Sequence, residues 1–186
     1  MMRQLLVSFC LLLFVQQGQS QFYKSILPSP EFNNALEKIV LDFRLDYKNI
    51  QGELVDKRGE VDVYASSITI PGAQDCKILR FHSAKDTTAS WQAIVYNGEE
   101  YKDAVRAYEN TCRLIKKSRI KWIDRSIVTF TGSIQAPREE IRFTSTTLQI
   151  DLEDDRYRGF EAQVDLISTY TGFEVQLNLH KKVKEY

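Results

Sequence analysis

The sequence predicts an α+β protein in which two amphipathic helices lie on one dry face of an antiparallel meander of about seven strands, in the order α-βββ-α-ββββ. Three observations carry this. Apolar residues recur at three- and four-residue steps in two separate stretches, as one face of a helix requires. Near the end of the chain, Phe160, Ala162, Val164 and Leu166, then Phe173, Val175, Leu177 and Leu179, alternate with Glu161, Gln163, Asp165, Glu174, Gln176 and Asn178. Such alternation describes a sheet with one dry and one wet face, which is antiparallel behaviour; a buried parallel sheet carries near-continuous apolar runs. Finally, 186 residues that are 43% hydrophobic and 27% charged are ample for a single core.

Residues 1–20 read as a secretory signal peptide. Arg3 precedes an apolar run from Leu5 to Val15, interrupted only by Ser8 and Cys10, and Gly18 and Ser20 stand at the −3 and −1 positions of a cleavage site before Gln21. The run is far shorter than the ~20 residues that span a bilayer. No later stretch is long and apolar enough either, so a soluble mature chain starting at Gln21, secreted or periplasmic, is expected.

Residues 21–28 form a short arm, followed by one α+β domain over 29–186. Ser29 suits an N-cap and Pro30 the first helical turn, while Phe32, Leu36, Ile39, Val40, Phe43 and Tyr47 form a stripe on a helix running to about Asn49. A turn-rich stretch with Gly52 and Gly59 follows. Strands are expected at 61–65, 77–82 and 91–96, the last two joined by a polar loop. The second helix opens with Asn97 as cap and Glu100 three residues on, and presents Tyr101, Ala104, Val105, Tyr108, Cys112 and Ile115 inward. Four strands then span 127–134, 141–150, 160–168 and 173–180. Each half, 29–97 and 98–186, thus runs from helix to meander, although the letters do not repeat. This order is similar to that of cystatin-like and secretion-chaperone-like α+β folds, with no shared motif residues, and a likeness of folds carries no function.

Charge and motifs exclude several functions. Signal removal takes away only Arg3 and leaves 24 basic against 25 acidic groups, a balance unsuited to nucleic acid. No glycine-rich phosphate loop, dinucleotide fingerprint or metal-spaced Cys/His cluster occurs, so no cofactor or metal is expected. Cys76 and Cys112 admit two readings: a disulfide formed in an oxidising compartment, or two buried thiols. The types of a hydrolase triad stand together at His82, Ser83 and Asp86, but triads assemble from distant positions around a strained nucleophile turn, and no Gly-x-Ser-x-Gly is present. His180 begins a basic tail with Lys181, Lys182 and Lys184. Asp151, Glu153, Asp154 and Asp155 form an acidic loop whose spacing does not fit an EF-hand.

Lys116, Lys117, Arg119 and Lys121 cluster at the expected end of the second helix, where cations oppose the terminal carbonyl charge. With Trp122 they are the candidate contact for a partner, either a protein or a cell-envelope component. The leading expectation is therefore a secreted or periplasmic non-enzymatic binding or assembly protein. A carrier with a pocket for a small or lipid-like ligand between sheet and helices comes second, and an unrecognised hydrolase third.

Overall fold

The Ser29 side chain accepts the Phe32 amide at 3.2 Å and so opens helix α1, Pro30–Asp42, with Pro30 in the first turn where a missing N–H costs nothing. This is a computed structural model; it describes residues 27–84, 87–150, 152 and 154–182. The signal peptide and all but the end of the arm lie outside the described residues.

Helix α1 buries Phe32, Leu36, Ile39 and Val40, as its periodicity predicts, but stops seven residues before Asn49. Asp42 explains the stop. Its buried carboxylate accepts the Asn49 amide at 3.0 Å, the Asn49 side chain at 2.7 Å and the Ile50 amide at 3.3 Å, which draws the chain back across the helix end. A single 3-10 turn, Phe43–Leu45, leads into Asp46 and Tyr47, both in the left-handed region at φ 53° and 60°. Tyr47 is completely buried and donates its hydroxyl to the Leu179 carbonyl at 2.7 Å.

Nine strands follow: β1 Gln51–Arg58, β2 Val61–Ser66, β3 Asp75–Phe81, β4 Ala89–Gly98, β5 Arg119–Lys121, β6 Ile127–Thr131, β7 Phe143–Ile150, β8 Phe160–Thr169 and β9 Gly172–Lys181. They form one antiparallel sheet in the order β1-β2-β3-β4-β9-β8-β7-β6-β5. The expected seven-strand count is corrected by β1 and β5. Helix α2, Tyr101–Lys117, starts after Glu100; Asn97 belongs to β4 and does not cap it. The last strand of each half, β4 and β9, pair antiparallel at the sheet centre, from Trp91↔Leu179 to Gly98↔Phe173. The helices are placed unequally: α2 lies across β4, β6, β7, β8 and β9, whereas α1 runs beside β5. The shared element order is therefore not matched by a shared packing.

The dry face is built of cross-strand rungs. Ile78, Trp91, Leu179, Ala162 and Leu148 form one across five strands, and Cys76, Ala93, Leu177, Val164 and Thr146 form the next. Every one of these ten side chains is buried. Against them α2 sets Ala104, Ala107, Tyr108, Thr111, Cys112, Leu114 and Ile115, and Tyr108 Oη meets Thr146 Oγ1 at 2.6 Å. Below α1, Phe43 packs on Tyr47, Tyr157 and Phe160, while Trp122 meets Tyr157 edge-on at 4.6 Å between ring centroids.

The disulfide between Cys76 and Cys112 is not formed: both are buried free thiols. Cys76 takes its place in the sheet rung, and Cys112 is on the buried face of α2. Burial pushes the thiols up to about 11 and about 12 respectively.

Candidate functional site

Positions opposite the dry face were expected to be a plain wetted row, and the structure gives them more order than that. Gln92 of β4, Asn178 of β9 and Gln163 of β8 lie on one outward rung, with Gln176 and Asp165 on the next. Asp165 is only 5% exposed. Its carboxylate accepts Gln163 Nε2 at 2.9 and 3.1 Å and Asn178 Nδ2 at 3.0 Å. A carboxylate of this kind only accepts, so both amides must turn their NH2 groups towards it and their oxygens away. The polarity then propagates. Asn178 Oδ1 accepts Gln92 Nε2 at 2.9 Å, which also reaches Gln176 Oε1 at 3.1 Å, and Gln163 Oε1 faces His180 Nε2 at 3.1 Å. Glu161, also buried, stands 3.8 Å from the same imidazole nitrogen. One carboxylate thereby fixes the orientation of a chain of side-chain dipoles across three strands.

Beside this array runs a groove of about 310 Å³. Leu79 and Phe81 of β3 form its apolar wall; Gln163, Asn178 and His180 form the polar one, with Thr88, Ser90 and Lys181 completing it. Val63 and Val61 back the apolar wall as register partners of Leu79 and Phe81. On β4 the small side chain of Ser90 keeps the space between the walls open.

The partner contact expected at the end of α2 is divided. Trp122 is a core residue, 9% exposed and held against Tyr157, so it cannot serve as a surface anchor. Lys116 and Lys117 are exposed in the last helical turn, and Lys116 Nζ donates to the Gly132 carbonyl at 2.7 Å. Arg119 and Lys121 are not helical. They point outward from the edge strand β5, whose intervening Ile120 is fully buried, and the Lys121 amide donates to Glu37 Oε2 at 3.0 Å. Charged side chains on a short edge strand discourage further strand pairing, and Arg119 and Lys121 stand in that position.

Other candidates are equally placed. His82 is half exposed, 3.7 Å from Asp62; Asp86 lies outside the described residues. Asp154 is tied to Arg156, whose hydrogen bonds hold its carboxyl down at about 2; Asp155 faces Arg158 at 3.5 Å, and Asp151 and Glu153 lie outside the described residues. Between helices and sheet the space is occupied by Trp91, Tyr47, Tyr108, Phe32 and Phe130, all below 2% exposure. No helix among the described residues is long and apolar enough to cross a membrane.

Sequence reasoning missed the array. Its signal was the composition of the outward rows of β8 and β9: Glu161, Gln163, Asp165, Glu174, Gln176, Asn178 and His180 contain neither lysine nor arginine, the side chains that most cheaply keep a sheet face in water. Family models, curated proteins and solved structures were all compared with this chain, and none matches.

Proposed function

We propose that this is a secreted or periplasmic, non-enzymatic binding protein that acts by contact with another protein or a component of the cell envelope. The contact surface is the outward face of β3, β4, β9 and β8, not the basic edge. The observation that carries the reading is the Asp165-centred array: a half-buried set of amides whose donors and acceptors are already oriented in the free protein. Side chains held in place before binding lose less conformational entropy on it, so each new hydrogen bond contributes more to affinity. Export is supported by the pattern of Arg3, the Leu5–Val15 run and Gly18/Ser20. The carrier reading draws no support from the interior, which large side chains fill, and the hydrolase reading draws none from the exposed His82.

The test is retention of the mature chain, residues 21–186, on envelope or extracellular-matrix preparations of its source cells. Gln163→Ala with Asn178→Ala is expected to reduce retention about ten-fold, the effect of losing roughly one well-formed hydrogen bond, while Arg119→Glu with Lys121→Glu leaves it unchanged. Retention that ignores the first pair and collapses with the second returns the contact to the basic edge.

A further inference from the structure

We infer that the groove beside the array is a binding site for a neutral carbohydrate, one or two sugar rings in size; this rests on the reading of the outward face as the contact surface and names its ligand class. The groove combines two walls of different chemistry. Phe81 and Leu79 offer an apolar surface suited to the C–H face of a pyranose ring. Opposite them, Gln163 and Asn178 present planar amides and His180 an imidazole, and Ser90 lies between. With their NH2 groups turned to Asp165, Gln163 and Asn178 each keep a second lone pair on the amide oxygen, which a sugar hydroxyl can donate to. Among the lining residues, Lys181 is the sole formal charge apart from the titratable His180, so the groove favours an uncharged polyol over a phosphate or a carboxylate. Its volume of about 310 Å³ lies at the small end of the roughly 300–1,000 Å³ of small-molecule sites.

A peptide ligand is the poorer match. An extended peptide gains most of its affinity by adding a strand at a free sheet edge, and β3, β4, β9 and β8 are each hydrogen-bonded on both sides. What this face exposes is side-chain amide, not backbone. The carboxylates Asp165 and Glu161 stand on the same face beside the lining, where Asp165 orients Gln163 and Asn178 and Glu161 stands 3.8 Å from His180, and neither lines the groove.

The experiment is an amide-resolved NMR titration of the isotope-labelled mature chain with D-glucose, D-galactose, D-mannose, N-acetylglucosamine, cellobiose and chitobiose, each at millimolar concentration. At least one sugar is expected to shift the amides of Ser90, Gln163, Asn178 and His180 in a saturable way. Ser90→Leu, which puts a larger side chain into the groove, and Asn178→Leu are each expected to weaken that binding about ten-fold or more; Lys102→Glu, on the outer face of α2, is expected to leave it unchanged. Preserved signal dispersion in the rest of the spectrum establishes that the variants are folded. The inference is overturned if no sugar shifts the groove amides, or if the shifts survive both groove variants. Envelope retention that depends on Asn178 without any sugar binding overturns the carbohydrate assignment alone, whereas sugar binding without such retention overturns the wider contact reading alone.

Discussion

Tyr47→Phe removes one oxygen from the structure and tests how the end of α1 is fastened to the sheet. The phenol is wholly buried and donates at 2.7 Å to the carbonyl of Leu179, 132 residues away. Losing the donor removes one buried hydrogen bond, which costs about 1 kcal/mol. For a domain of this size the corresponding fall in Tm is roughly 2–4 °C. The left-handed backbone of Tyr47 is retained by Phe, so the loss reports the hydrogen bond and not the turn. A pH signature accompanies it. Burial, and behind it the nearby Asp42 carboxylate, holds the Tyr47 phenol well above the usual tyrosine value. A folded-state value above the unfolded one means that the native state keeps its proton where the unfolded state sheds it. The stabilisation is therefore complete below pH ~10 and is lost as pH rises beyond that. Urea denaturation followed by fluorescence of Trp91 and Trp122, repeated at pH 8 and pH 11, measures both effects. Tyr47→Phe should be weaker than wild type at pH 8 and should lose less on going to pH 11. The slope falls without vanishing, because buried Tyr108, Cys76 and Cys112 are raised in the same direction. Equal stability of variant and wild type at pH 8 would refute the reasoning.

Two further outcomes are expected. The folded chain of residues 21–186 should resist iodoacetamide at pH 8 at both Cys76 and Cys112, because burial keeps them as thiols, and should take up two labels per chain once unfolded in urea; an unreduced mass two hydrogens light would establish the disulfide instead. Trp122→Ala should destabilise by about 3–5 kcal/mol as a core truncation, while Lys121→Ala stays within about 0.5 kcal/mol; a Trp122 variant melting like wild type would return that side chain to the surface.

What the sequence disclosed follows from how strongly each element is one-sided. Strands β8 and β9 alternate because one face meets α2 and the other does not, and their bounds were legible to within about a residue. Strand β1 lies at the sheet edge, with Leu54 and Val55 both exposed, so neither face imposes a pattern and Gly52 suggested a turn. Strand β5 is three residues long and carries cations that read as helix-end charges. Helix α1 is subtler: Phe43 and Tyr47 continue its apolar spacing and are buried, but the backbone delivers them through a 3-10 turn and two left-handed residues. Periodicity identified which side chains go inside and not the path by which they get there. Nor does any local pattern state that β4 pairs with β9, a contact between residues 75 to 88 apart in the chain.

That pairing is what creates the candidate site. Gln92 stands alone in its own half of the chain, and its carboxamide acquires meaning only when β4 is laid against β9 so that it joins Asn178 and Gln176. The arrangement is expensive for a surface whose only task is solubility. Taking the Asp165 carboxylate almost out of water carries a desolvation cost that must be offset by its charge-assisted bonds from Gln163 and Asn178, whereas a solvated lysine or glutamate would carry none. The basic edge shows the cheaper solution on the same sheet: Arg119 and Lys121 stand free in solvent around buried Ile120. A protein that uses solvated charge at its edge and a half-buried, oriented amide network at its centre treats the two surfaces differently. The centre, where order costs most and where Ser90 leaves an open groove, is the part of the surface whose design solubility does not explain.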